Sequence, residues 1–120
     1  MKGEVIEIWG NGSVQRDYIY IEDVAQAFVQ ALSYQGEKCI FNIGSGEGKT
    51  LNELLDLIEL NLGRPVERNY LAPRPFDAHI NVLDNSLAKS ELEWAPKISL
   101  NEGINRMVNC ALLKNISLGI

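Results

Sequence analysis

Two stretches of this sequence set an arginine, an aromatic ring and a carboxylate close together: Arg16-Asp17-Tyr18 and Arg74-Pro75-Phe76-Asp77. A guanidinium fork matches phosphate oxygens in two-point geometry, and a nearby aspartate can accept a hydrogen bond from a ribose hydroxyl. A structural Arg–Asp pair is the plainer alternative, and residue types alone favour it, because surface ion pairs are common and individually weak. Asp17, Glu22 and Asp23 are also ambiguous. Glu22 and Asp23 are accounted for by the electrostatics of a helix N-terminus, and no catalytic role follows from them.

Residues 40–58, IFNIGSGEGKTLNELLDLI, suggest a phosphate loop of another kind. A Walker loop requires a glycine, four residues and then Gly-Lys-Ser/Thr, so that backbone N–H groups wrap a phosphate. Counting back from Gly48 puts Ile43 where the first glycine belongs. The dinucleotide pattern Gly-x-Gly-x-x-Gly fails as well, because Lys49 stands in the place of its third glycine. A strand-to-helix turn remains, with glycines free to take positive φ and Thr50 opening a capping box with Glu53.

Tyr34 and Lys38 make a Tyr-x-x-x-Lys pair, the spacing by which a nearby ammonium lowers a tyrosine pKa. That arrangement works when both residues lie on one helical face, and Gly36 interrupts the helix between them. The residues therefore nominate no catalytic group. With one histidine, His79, the usual metal cluster cannot be assembled either.

The elements that must position these groups follow from periodicity and punctuation. VIEIWG reads as a strand, NGS as a turn and RDYIYI as a second strand. From Glu22 the period becomes helical, with Val24, Phe28, Ala31 and Leu32 as the apolar face and Gly36 as the stop. CIFNI reads as a short buried strand. A second helix carries Leu51, Leu54, Leu55, Ile58 and Leu62 on one face and ends at Gly63. The proline-rich RPVERNYLAPRPFD predicts an extended segment entering a loop, followed by a short strand in HINVL. Asp84 or Asn85 caps a short helix that Ala95-Pro96 ends. Ser99 and Glu102 form another capping box, opening a last helix with Ile104, Val108, Ala111 and Leu112 as its face, before a frayed tail from Asn115.

The 120 residues, 46% hydrophobic and 22% charged, suit one globular domain with a modest core. No apolar run reaches the roughly 20 residues of a membrane helix, and no secretory signal is evident, so the cytoplasm is the expected compartment. In that compartment Cys39 and Cys110 are expected as buried thiols. A formal charge of −5 argues against general binding to nucleic acid or to anionic membrane, while leaving room for a local anion site.

The order of the motifs adds a further layer. EIWGNGSVQRDYIYIEDVAQAFVQAL, FNIGSGEGKTLNELLDLI, APRPFD, LDNSLAKSELEWAP and ISLNEGI together resemble the C-terminal part of extended short-chain dehydrogenase/reductase enzymes. These are the NAD-dependent nucleotide-sugar epimerases and dehydratases, the UDP-glucose 4-epimerase-like members above all. The resemblance implies an α/β fold: the C-terminal substrate-binding portion of an extended Rossmann-type enzyme, with short strands and about four helices. By position it implies that Arg16 and Arg74 hold the diphosphate of a nucleotide sugar and that Asp77 meets its ribose. Tyr18 would line the nucleotide pocket, and Asn81 would lie near the substrate. Three residues depart from the usual pattern: Phe76 where many members have glycine, Asn11 where many have aspartate, and Glu93 where glycine is frequent.

Such enzymes begin with a Rossmann half that carries the NAD fingerprint and the catalytic Tyr-x-x-x-Lys helix, and neither is found in this sequence. The expectation is a single C-terminal nucleotide-sugar-binding segment over 1–120, without NAD or metal of its own and inactive alone. Its expected partners are a nucleotide sugar, an N-terminal NAD-binding half and further copies of itself. The alternatives are one half of a complementing two-chain epimerase, or a non-catalytic interaction module that keeps the fold.

Overall fold

The computed structural model describes residues 5–117, with side chains as far as Leu113. Among the described residues, two small sheets and four helices make up the α/β architecture that the sequence implies. Strand β1 (Ile6–Trp9) runs parallel to β4 (Arg68–Leu71), with Ile6 opposite Arg68 and Trp9 opposite Leu71. Strand β2 (Gln15–Asp17) is the middle of the second sheet. It pairs antiparallel with β3 (Gly48–Thr50) and parallel with β5 (Ile80–Asn81), which sets Arg16 between Lys49 and Asn81.

Helix α1 spans Ile21–Leu32, α2 Leu51–Leu62, α3 Ser86–Glu91 and α4 Leu100–Ser117. Helix α2 has both halves of its expected capping box: the Thr50 hydroxyl accepts from the Glu53 N–H, and the Glu53 carboxylate accepts from the Thr50 N–H. Left-handed Gly63 ends it. The Ser99 box is only half formed. Ser99 Oγ accepts from the Glu102 N–H, but the Glu102 carboxylate turns instead to Arg106 on the next turn of α4. That helix also continues past Asn115 to Ser117, so the expected tail is helical as far as it is described; residues 118–120 lie outside the described residues.

The core is small. Ala27, Ala88, Leu92 and Trp94 are buried together, with Ile19, Tyr34, Phe41 and Ile43 packed against them. The Trp94 indole N–H donates to the Asp23 carbonyl of α1 at 2.9 Å. The Asp23 carboxylate, far from being spent on the helix terminus alone, accepts the N–H groups of Lys97 and Ile98 at 3.1 and 3.0 Å. This indole sits against the narrow side of α1 that carries Asp23 and Ala27, so the face expected to be buried is turned outward. Phe28 and Leu32 are 72% and 87% exposed.

The strand expected in CIFNI does not form. Residues 39–43 have no neighbouring strand among the described residues, Ile40 is exposed, and both cysteines are exposed free thiols. A strand exists through its pairing, and a period-two apolar run without a ladder partner stays irregular. The segments RDYIYI and HINVL shorten to β2 and β5 for the same reason, and the first helix ends at Leu32, before Gly36.

Candidate functional site

The parallel pairing of β1 with β4 brings the turns that follow them, residues 10–14 and 73–79, face to face across a cleft of about 880 Å³. Trp9 and Tyr70 form its aromatic wall, and Arg74 and Asp77 reach in from the proline-rich loop. The strand register explains the encounter. Trp9 lies opposite Leu71, and the Gly10 N–H donates to the Leu71 carbonyl at 3.0 Å, so the chain leaving β4 passes over the indole. The Arg74 guanidinium rests 4.3 Å from the Trp9 ring centre, a cation–π contact. A turn closed by the Asp77 N–H on the Arg74 carbonyl brings Asp77 back to the same cleft.

Arg74 and Asp77 are therefore together, as expected. Of the described residues lining this cleft, Arg16, Tyr18 and Asn81 are not members. Arg16 acts on it from behind: its Nη1 donates to the carbonyls of Gln15 and Ala78, both at 2.8 Å, and straps the end of the loop onto β2. Asn81 is the register neighbour of Arg16 on β5. Tyr18 borders an apolar groove of about 400 Å³ between α2 and α4, and a smaller polar hollow beside Lys49 and Lys97. Partial burial pushes its phenol pKa up, with the charge of Arg16 pulling the other way.

The glycine turn of residues 44–46 does bind an anion, but the anion is part of the protein. Asp17 Oδ1 accepts from the Ser45 N–H and hydroxyl, both at 2.6 Å, and Oδ2 accepts from the N–H groups of Gly46 at 3.0 Å and Leu83 at 3.2 Å. Gly44 permits the approach, since a Cβ there would sit 2.5 Å from the carboxylate. Burial works to raise the Asp17 pKa, yet the hydrogen bonds from Ser45, Gly46 and Leu83 outweigh it and hold the carboxyl below its ordinary value. The loop that looks phosphate-binding is thus already filled by a carboxylate.

Tyr34 donates its hydroxyl to Glu91 at 2.8 Å and accepts the Lys38 backbone N–H. Partial burial and the Glu91 carboxylate push its pKa up, opposite to the direction a proton-transferring tyrosine needs. Among the described residues, no group of three or more His, Cys, Asp or Glu side chains could hold a metal ion. Sequence reasoning does not single out Trp9, Tyr70 or Asn52. The available signal for Trp9 is its place immediately before the Gly10-Asn11-Gly12 turn.

A family model described as GDP-mannose 4,6 dehydratase matches residues 1–107, the span that includes the cleft and both sheets. The chain belongs to this family. The resemblance read from the motif order is thereby borne out, at the level of nucleotide-sugar epimerases and dehydratases. Escherichia coli dTDP-4-dehydro-6-deoxyglucose reductase is 41% identical over 103 residues, 86% of this chain and 33% of that enzyme. The fold is similar to that of Thermotoga maritima UDP-glucose 4-epimerase, solved with UDP-glucose. The TM-score is 0.87 at 38% identity, covering 94% of this chain and 36% of that one. It is also similar to the Bacillus cereus UDP-glucuronic acid 4-epimerase, solved with UDP-glucuronic acid and NAD. There the TM-score is 0.82 at 25% identity, covering 90% of this chain and 35% of the other. The chain spans about a third of the length of the curated relatives it matches.

Proposed function

We propose that this chain is the nucleotide-sugar-holding segment of an NAD-dependent epimerase or dehydratase, inactive alone, and that it takes the nucleoside diphosphate of a UDP-sugar-like ligand in the Trp9–Arg74 cleft. The observation that carries this reading is the convergence of Arg74, Asp77 and an aromatic wall on one open cleft. The family membership and the UDP-glucose bound to the Thermotoga maritima relative support it. In this reading Arg74 holds phosphate oxygens by its guanidinium fork, and Asp77 accepts a ribose hydroxyl. Arg16 keeps the loop in place through Ala78 and turns its remaining guanidinium nitrogens to the diphosphate. Asn81, the register neighbour of Arg16, lies towards the sugar. NAD belongs to a separate Rossmann half, and the assembly works in the cytoplasm.

Calorimetric titration with UDP tests the cleft. Weak binding is expected, and Arg74→Ala and Arg16→Ala should each weaken it at least tenfold, about 1.4 kcal/mol. Unchanged affinity in variants that unfold at the wild-type temperature would return both arginines to a structural role. The chain alone should neither turn over a UDP-hexose nor bind NAD. Turnover that disappears in Tyr34→Phe would overturn this reading.

A second reading, half of a complementing two-chain epimerase, is favoured by one observation. Ile21, Phe28 and Leu32 form an exposed apolar stripe along α1, a surface shaped for a second layer. Activity that appears when a matching N-terminal half is added would establish it. Without that half, the same stripe favours self-association.

A further inference from the structure

Behind the cleft, and outside its lining, one side chain joins the turn after β1 to the ring of Tyr70 on β4. Asn52, in the first turn of α2, donates its Nδ2 to the Asn11 carbonyl at 2.9 Å and accepts the Tyr70 hydroxyl on its Oδ1, also at 2.9 Å. Its backbone N–H donates to the Gly12 carbonyl at 3.2 Å, so the turn is gripped at two successive carbonyls. The fit is close: a Cβ on Gly12, which has φ +75°, would fall 2.2 Å from Asn52 Oδ1.

On the other wall the connection continues through β4. Arg68 pairs with Asp56 at 2.7 Å and Glu59 at 2.9 Å, both on α2, and so ties β4 to the same helix. Helix α2 is itself fixed by the Thr50–Glu53 capping box. A rigid helix end thus holds the turn after β1 with one atom of an amide and the ring of β4 with the other. That bracket fixes the turn after β1 against the Tyr70 hydroxyl, beside the cleft that the β1–β4 ladder closes.

We infer that Asn52 is a positioning residue for the nucleotide cleft: it touches no ligand, and it fixes the turn at residues 11–12, on one side of the cleft, against the Tyr70 ring that lines it, so that a planar nucleoside meets a set surface. This inference rests on the nucleotide-sugar reading of the cleft. A residue with this role alters affinity in the folded protein, whereas a purely structural asparagine alters only the temperature of unfolding. Losing the Asn11 bond frees the turn and not the arginine, so the diphosphate contacts survive while the surface that meets the nucleoside loosens.

The test uses the full 120-residue chain, with UDP as the probe. Calorimetry at a temperature where every variant is folded should show Asn52→Ala weakening UDP about tenfold, the loss expected when one well-placed hydrogen-bond bracket goes. Tyr70→Phe, which removes only the hydroxyl, should weaken it less, and the double variant should be no worse than Asn52→Ala because the two act through one linkage. Inorganic pyrophosphate, which needs the arginines and not the turn at residues 11–12, should bind wild type and Asn52→Ala alike. Hydrogen exchange of residues 10–14 should accelerate in Asn52→Ala. Should that variant fail to fold, Asn52→Asp carries the same test, since it keeps the acceptor for Tyr70 and loses the donor to Asn11. Equal UDP affinity in wild type and folded Asn52 variants overturns this inference alone. A wild-type chain that takes up no UDP overturns the reading beneath it.

Discussion

Asp17 accounts for a loop that resembles a nucleotide site without being one. Backbone N–H groups at a glycine turn attract negative charge whatever its source, and here a carboxylate from β2 supplies it permanently. Because the hydrogen bonds hold its folded pKa below the unfolded value near 3.8, the stabilisation is present above that value and is lost as pH falls through the lower folded one. Acid unfolding should therefore begin below roughly pH 4. Asp17→Asn must turn an amide N–H toward the donors of either Ser45 or Gly46 and Leu83, and should cost about 2 kcal/mol at neutral pH. Urea titrations of both proteins across pH 3–7 check this. A variant that parallels wild type at every pH would remove Asp17 from the clamp role.

At the scale of elements, α3 ends at Glu91, and the chain turns just after it rather than at Ala95-Pro96. Glu93, two residues past the end of α3, is in the left-handed region at φ 54°. A side chain there costs roughly 1–2 kcal/mol, partly offset by the extra freedom glycine has when unfolded. Glu93→Gly should then stabilise the fold by roughly 0.5–1 kcal/mol, read as a rise in urea midpoint with an unchanged slope. No change, or a loss, would mean that the Glu93 carbonyl, which accepts from Gln30, depends on the present geometry.

How much was legible in the sequence follows the reach of each interaction. Helix α2 reads correctly end to end because its caps and apolar face are set by residues within one or two turns. The Arg74–Asp77 pair is legible for the same reason, being joined by a local turn. The 39–43 strand is misread because its missing determinant is a neighbouring strand, which no local pattern supplies. Asp17 and Asp23 look like ordinary surface or helix-end carboxylates because their donors, at Ser45, Leu83, Lys97 and Ile98, arrive only through folding. Trp9 and Asn52 escape notice likewise, since their partners come from β4 and its loop.

The whole molecule is thin: 49 × 43 × 19 Å, with a radius of gyration of 17.3 Å. A compact domain of this length has a radius of about 14 Å. Its accessible surface, 8586 Å² for 13.4 kDa, exceeds by roughly 2,000 Å² the value for a compact monomer of that mass. The excess includes apolar surface: Ile21, Phe28, Val29, Leu32 and Ile40 are all more than half exposed. The first four lie on α1, where Ile21, Phe28 and Leu32 repeat at the spacing of one helical stripe, opposite the side that Trp94 covers. A helix already packed on one side and apolar on the other is one built to be covered on both. Contiguous apolar patches of more than a few hundred Å² are rare on soluble monomers, and a standard interface covers about 800 Å² of each partner, less than the excess available here. The chain alone in solution should therefore self-associate through this face. Light scattering over a range of concentrations should give a mass above 13.4 kDa that falls on dilution. Phe28→Glu with Leu32→Glu should shift it to monomer while leaving UDP binding in the distant cleft unchanged. A sharp monomer mass at every concentration, together with cooperative unfolding, would show that the layer is stable with its apolar face in water, and the argument from shape would fail.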